Sequence, residues 1–164
     1  MLKGKPIIMH GDGNSIWAEC HSDDVAVAFA NAIGCVEAYG RAFHVAGEEW
    51  MTFRQMWEIA AEVLGAPTPN FVQIPTDLLY CAMPELAAWR HENFKYNNIF
   101  DNNAARQVLG FRYTIPWAQG FRRYVEYTAT RGEAFENSDS IDWYDQIIDA
   151  WRITELSFCK AAKV

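Results

Sequence analysis

No apolar run in this 164-residue chain reaches the roughly 18 residues that a helix needs to cross a membrane. Positive charge is also short: 14 Lys and Arg stand against 21 Asp and Glu, a net charge of −7. That balance argues against nucleic acid or an anionic membrane surface as the main partner. Cysteines are few. Cys20, Cys35, Cys81 and Cys159 form no C-x-x-C pair, so free thiols in a reducing cytoplasm are expected rather than a disulfide framework. His10, Cys20 and His21 do not fall at the spacing of a structural zinc site, and no metal is expected. Met1-Leu2-Lys3-Gly4-Lys5 is basic, but no long apolar stretch follows it, so no signal peptide is expected. Glycines are scattered rather than gathered. None builds the G-x-G-x-x-G turn that seats a dinucleotide, and there is no P-loop.

What is present is apolar and aromatic. Hydrophobic residues make up 51% and aromatics 15%, with seven Trp and ten Phe. This composition excludes a disordered chain. It implies a sizeable core, or apolar surface that something else covers. The patterning reads as α/β, a helix-rich α+β fragment with a few short strands and about six helices. Strands are expected at residues 6–9, 42–46 and 71–74. The first helix opens at Ser22-Asp23-Asp24, where Ser22 or Asp23 can cap it, and lays Val25, Ala28, Phe29, Ala32 and Ile33 along one buried stripe. Thr52 with Gln55 fits a capping box, and Gly65 with Pro67 ends that helix. Pro84 must kink or divide the helix that starts near Thr76, and the polar Arg90-His91-Glu92-Asn93 reads as a loop. Asp101 is the expected cap of a further helix ending at Gly110. Pro116 opens a long one that buries Trp117, Phe121, Tyr124, Val125 and Thr128, and with the helix from Thr52 it should be the longest. A final helix places Tyr144, Ile147, Ile148 and Trp151 on one side.

The stretch from His10 to Ala26 organises the chain. Gly11-Asp12-Gly13 is a tight turn, Ile16 to Cys20 is extended, and His21-Ser22-Asp23-Asp24-Val25-Ala26 opens the helix. This ordered pair, Gly-Asp-Gly and then His-x-Asp-Asp-x-Ala, resembles the middle of an extended short-chain dehydrogenase/reductase of the NAD-dependent epimerase/dehydratase family. Later segments extend the resemblance over about residues 3–131. They are Ala42-Phe43-His44-Val45-Ala46, Thr52-Phe53 with Val63-Leu64-Gly65, Phe100-Asp101 with Leu109-Gly110-Phe111, and Gly120-Phe121-Arg122-Arg123.

The resemblance implies a C-terminal, substrate-binding portion without the N-terminal Rossmann half. Residues 1–132 would form that portion, and residues 133–164 an acidic linker and a helix packed on the same domain. NAD(P) is implied for the full-length family enzyme, with none bound by this chain alone. The family's Tyr-x-x-x-Lys pair is absent; Tyr127 and Arg131 have its spacing but lie on the late helix and take no role from it. No catalytic residue is assigned. Asp12, Asn14, Trp17 and His21 are the candidate substrate contacts. Sugar-nucleotide members usually carry an arginine a few residues after Gly-Asp-Gly, suited to a diphosphate. Here Trp17 stands in that region, either as core or as the contact to a less charged, more apolar substrate. The expected partners are a small molecule and either a separate Rossmann half or a second copy. Phe43, Val45, Val25 and Phe29 would form the open apolar faces. Two alternatives stay open: a stand-alone, non-catalytic binding or interaction module, and an enzyme of another class using His21 and Asp23.

Overall fold

Ile7–His10 forms β1 and Phe71–Ile74 forms β4; the two pair in parallel, Ile7 opposite Phe71 and His10 opposite Ile74. They lie in a computed structural model that describes residues 1–131 and 142–162. A second, antiparallel pair joins β2 (Ile16–Trp17) to β3 (Met51–Thr52). Seven α-helices complete the described residues: α1 (Ser22–Ala32), α2 (Phe53–Leu64), α3 (Thr76–Ala82), α4 (Pro84–Trp89), α5 (Asn103–Leu109), α6 (Trp117–Thr130) and α7 (Asp142–Ala161). The molecule is α/β and helix-rich, as the sequence reads. The expected acidic linker lies outside the described residues, and the longest helix is α7 rather than α2 or α6.

Local chemistry accounts for most of these elements. Thr52 and Gln55 close the capping box on α2, and Gly65 ends it in the left-handed conformation, φ 61°. Pro84 divides the expected long helix into α3 and α4 by occupying the first turn of α4. Beyond Trp89 the chain does not become a loop. Arg90–Phe94 continues as a single π-helical turn, closed by Lys95 N–H donating to Arg90 O at 2.9 Å. In the Gly11-Asp12-Gly13 turn, Gly13 has φ +74°, and a Cβ there would lie 2.7 Å from Met9 Sδ.

Two apolar clusters hold the fold. Ala28, Ala105, Leu109 and Phe111 form one, between α1 and α5. Ile74, Leu79 and Ala87 form the other, against which Ile147 and Trp151 of α7 pack. Phe111 is 1% exposed, and burying such a ring contributes about 1.5–3 kcal/mol.

Several expectations are corrected by this packing. Residues 42–46 form no β-ladder, and at Ala46 the Asn102 side chain takes the polar groups a neighbouring strand would use. Its Oδ1 accepts from Ala46 N–H at 3.0 Å and its Nδ2 donates to Ala46 O at 2.8 Å. Phe43 and Val45 are half-buried against the first cluster rather than open. On α1 the buried positions are Asp24 and Ala28, while Phe29, and Ile33 just past the helix end, face solvent. Tyr124 of α6 is exposed too.

The free edge of β1 is closed by a side chain from α7. Ile7 and Gly11 donate to the β4 side, so Pro6 O and Ile8 N–H point the other way. Ile8 N–H donates to the Tyr144 hydroxyl at 2.7 Å, and that hydroxyl donates to Pro6 O at 3.2 Å. One phenol thus stands where a residue of another parallel strand would pair.

Candidate functional site

A groove of about 740 Å³ opens between the first turns of α1 and α6. Two carboxylates set its walls. Asp24, 5% exposed, accepts from Thr114 N–H at 2.8 Å, the Thr114 hydroxyl at 2.5 Å and Ile115 N–H at 3.0 Å. Burial opposes its charge, but these donors outweigh burial and lower its pKa. Glu49 accepts from the Tyr113 hydroxyl at 2.7 Å and from Trp117 N–H at 2.6 Å, placing an anion at the positive end of α6. Gly120 lets α6 approach, since a Cβ there would lie 3.0 Å from His21 Cδ2.

His21 caps α1, in place of Ser22 or Asp23. Its Nδ1 accepts from Asp23 N–H at 3.2 Å. The Asp23 carboxylate lies 3.3 Å from Arg123 and 3.6 Å from His21 Nδ1. Facing them are Trp117, Phe121, Tyr124 and Tyr127 of α6. Burial raises the pKa of Glu19, opposed by a hydrogen bond from Trp17. Burial, then the charges of Asp24, Glu19 and Glu48, push the Cys20 thiol up to about 11, so it is not a nucleophile at neutral pH.

The four residues expected at the site separate. His21 lines the groove. Trp17 is half-buried in an aromatic cluster, 4.7 Å from Phe94 and 6.5 Å from Phe53 between ring centres, and reaches the groove only through Glu19. Asp12 and Asn14 are exposed in the turn after β1, where Asp12 accepts from Asn14 N–H at 2.9 Å and Nδ2 at 3.0 Å. Sequence reasoning missed Glu19, Arg123 and Tyr127 as groove residues. The aromatic spacing along α6 was legible but read as core.

The turn after β1 does not fit a dinucleotide. It is followed by β2 rather than by a helix. Its carbonyls face inward donors: Gly13 O accepts from Arg54 N–H, Ser15 O from Phe53 N–H, and Asp12 O from Gln73 Nε2. A phosphate needs N–H groups there. The start of α1 carries Asp23 and Asp24. Among the described residues, no group of three His, Cys, Asp or Glu side chains could hold a metal ion, and no helix is long and apolar enough to cross a membrane.

No family model matches the chain. It is 33% identical over 136 residues to the chloroplast stem-loop binding protein of 41 kDa b of Arabidopsis thaliana, covering 83% of this chain and 35% of that protein. It is 28% identical over 98 residues to the 2'-dehydrokanamycin reductase of Streptomyces kanamyceticus, covering 60% and 27%. The chain therefore spans about a third of the length of the curated relatives it matches. Among solved structures, an epimerase of Methanothermobacter thermautotrophicus superposes with TM-score 0.63 at 17% identity, over 81% of this chain and 37% of that one. The UDP-glucuronic acid 4-epimerase of Bacillus cereus, in complex with UDP-glucuronic acid and NAD, superposes with TM-score 0.61 at 15% identity, over 80% and 37%. The UDP-glucose 4-epimerase of Thermotoga maritima gives 0.58 at 20%, over 81% and 38%. The chain has the fold of one part of the NAD-dependent epimerases and dehydratases of the short-chain dehydrogenase/reductase superfamily.

Proposed function

We propose that this chain is the substrate-binding part of an NAD(P)-dependent epimerase, dehydratase or reductase, and that it works in the cytoplasm beside a dinucleotide-binding half. The observation that carries the reading is the groove at the start of α1 and α6; apart from it, the turn after β1 presents carbonyls rather than free N–H groups. The groove supplies aromatic faces on which a sugar or cyclic ring stacks, and His21 and Glu19 as polar contacts. The dinucleotide, its glycine-rich seat and the acid/base pair belong to the other half, so no hydride or proton transfer is assigned to residues here. Residues 1–132 form the binding portion, and 133–164 serve as linker and packing helix. Trp17 takes a supporting role, orienting Glu19 from behind the groove.

The substrate is less charged than a nucleotide diphosphate sugar. Arg123, the arginine of the groove, is paired with Asp23, and the groove carries the acids Glu19 and Asp23. Calorimetry with UDP-glucose and with a neutral glycoside tests this. No heat is expected from UDP-glucose, and weak binding is expected of the glycoside, which Phe121→Ala abolishes. Micromolar binding of UDP-glucose would refute it.

A stand-alone interaction module is the second reading. Tyr144 favours it, because it completes the edge of β1 from within the chain. In that reading, exposed side chains such as Phe29 and Ile33 meet a second copy.

A further inference from the structure

A second cavity, of about 480 Å³, lies on another face, between β1, α4 and the start of α7. Its walls are apolar: Ile8, Trp57, Met83, Leu86 and Trp143 converge on it. Three of these are large side chains left open to solvent, with Trp57 38%, Trp143 40% and Leu86 53% exposed. Scattered apolar side chains need no explanation, but their convergence on one concavity marks a binding surface. At its rim stands Arg90, the first residue of the π-helical turn. Such turns are rare and concentrate at functional sites.

Arg90 donates one guanidinium N–H to Leu86 O at 2.9 Å, which holds the group beside the cavity. The guanidinium has five donors, and no carboxylate among the described residues pairs with it. Lys5 adds a second cation to the rim, shared with Asp145 at 3.5 Å. In a chain of net charge −7, Arg90 puts a cation without a carboxylate partner among the described residues at the mouth of an apolar cavity. We infer that this cavity binds an apolar monocarboxylate, an acyl or aryl acid whose carboxylate pairs with Arg90 and whose body fills the space between Trp57, Leu86 and Trp143. The planar guanidinium fork matches the two oxygens of a carboxylate with two parallel donors, and one such fork balances its single charge.

The test uses the whole chain with decanoate and 1-decanol, equal in tail and different in charge, followed through the indole N–H resonances of Trp57 and Trp143. Decanoate is expected to give saturable shifts at both indoles, with at least about tenfold higher affinity than decanol. Arg90→Gln should bring decanoate down to the level of decanol. Leu86→Glu, which puts a like charge at the mouth, should weaken decanoate selectively and serves as the independent variant if Arg90→Gln alters the fold. Equal affinity for acid and alcohol in the unaltered chain would overturn the inference. So would non-saturable shifts, or undiminished decanoate binding by either folded variant.

Discussion

Asp24 and Thr114 stand 90 positions apart, and one carboxylate binds both the backbone N–H and the hydroxyl of that threonine. This joint fixes the start of α1 against the segment that leads into α6, and so sets the width of the groove. Asp24→Asn should cost about 2–3 kcal/mol, because the amide keeps one neutral acceptor oxygen and turns an NH2 donor toward groups that had a charged acceptor. The folded pKa of Asp24 is lowered. Its contribution is therefore full above the unfolded aspartate value, about 3.9, and is lost as pH falls through the folded value. Urea midpoints measured from pH 7 to pH 3 should fall less steeply below pH 4 in Asp24→Asn than in the unaltered chain.

His10 is buried beside Phe53, with ring centres 4.5 Å apart. Burial lowers its pKa, opposed by the hydrogen bond to Phe94 O. The unfolded chain then takes up a proton near pH 6.5 while the folded chain does not, so this residue removes stability as pH drops below that point. NMR titration should place the His10 midpoint below 6.5, and His10→Gln should flatten the stability profile between about pH 6.5 and pH 5.

Gly47 and Gly65 should respond differently to alanine. A Cβ on Gly47 would lie 1.9 Å from Glu19 O, which is backbone, while one on Gly65 meets nothing within 4 Å. Gly65→Ala should cost about 1–2 kcal/mol, through its left-handed conformation alone. Gly47→Ala must push the 18–19 segment away and should cost more than about 3 kcal/mol. It should also change ligand binding in the groove, because Glu19 moves. Thermal melts of the two variants decide the order.

Much of the fold was legible because its signals are local. The Thr52–Gln55 capping box, the stop at Gly65, the division at Pro84 and the short apolar run at 71–74 each depend on a few neighbouring residues. The readings that failed depend on distant ones. The 42–46 segment has a strand's pattern, yet Asn102 from 56 positions away takes the polar groups of Ala46. His21 displaced Ser22 and Asp23 as the cap because its Nδ1 reaches Asp23 N–H, while Asp24 was drawn into the 114–115 segment. The groove was half visible. His21 and the aromatic row of α6 could be named, but nothing local shows that Gly120 brings them together, nor that Trp17 turns away into the cluster of Phe53 and Phe94.

Tyr144→Phe tests how the edge of β1 is closed. The ring stays, and Ile8 N–H and Pro6 O lose their partner. The loss should be about 1–2 kcal/mol, with faster amide exchange at Ile8 than at Met9. Unchanged exchange at Ile8 would mean that the hydroxyl does not hold the edge.

In the function proposed above, this chain binds substrate and leaves the dinucleotide to another half. Fluorescence titration of the purified chain with NADH and NADPH tests it most directly. No saturable change is expected up to about 1 mM, a weak limit for a specific site. Saturable binding at micromolar concentration, with no second polypeptide present, would contradict it and would place a cofactor seat within these residues.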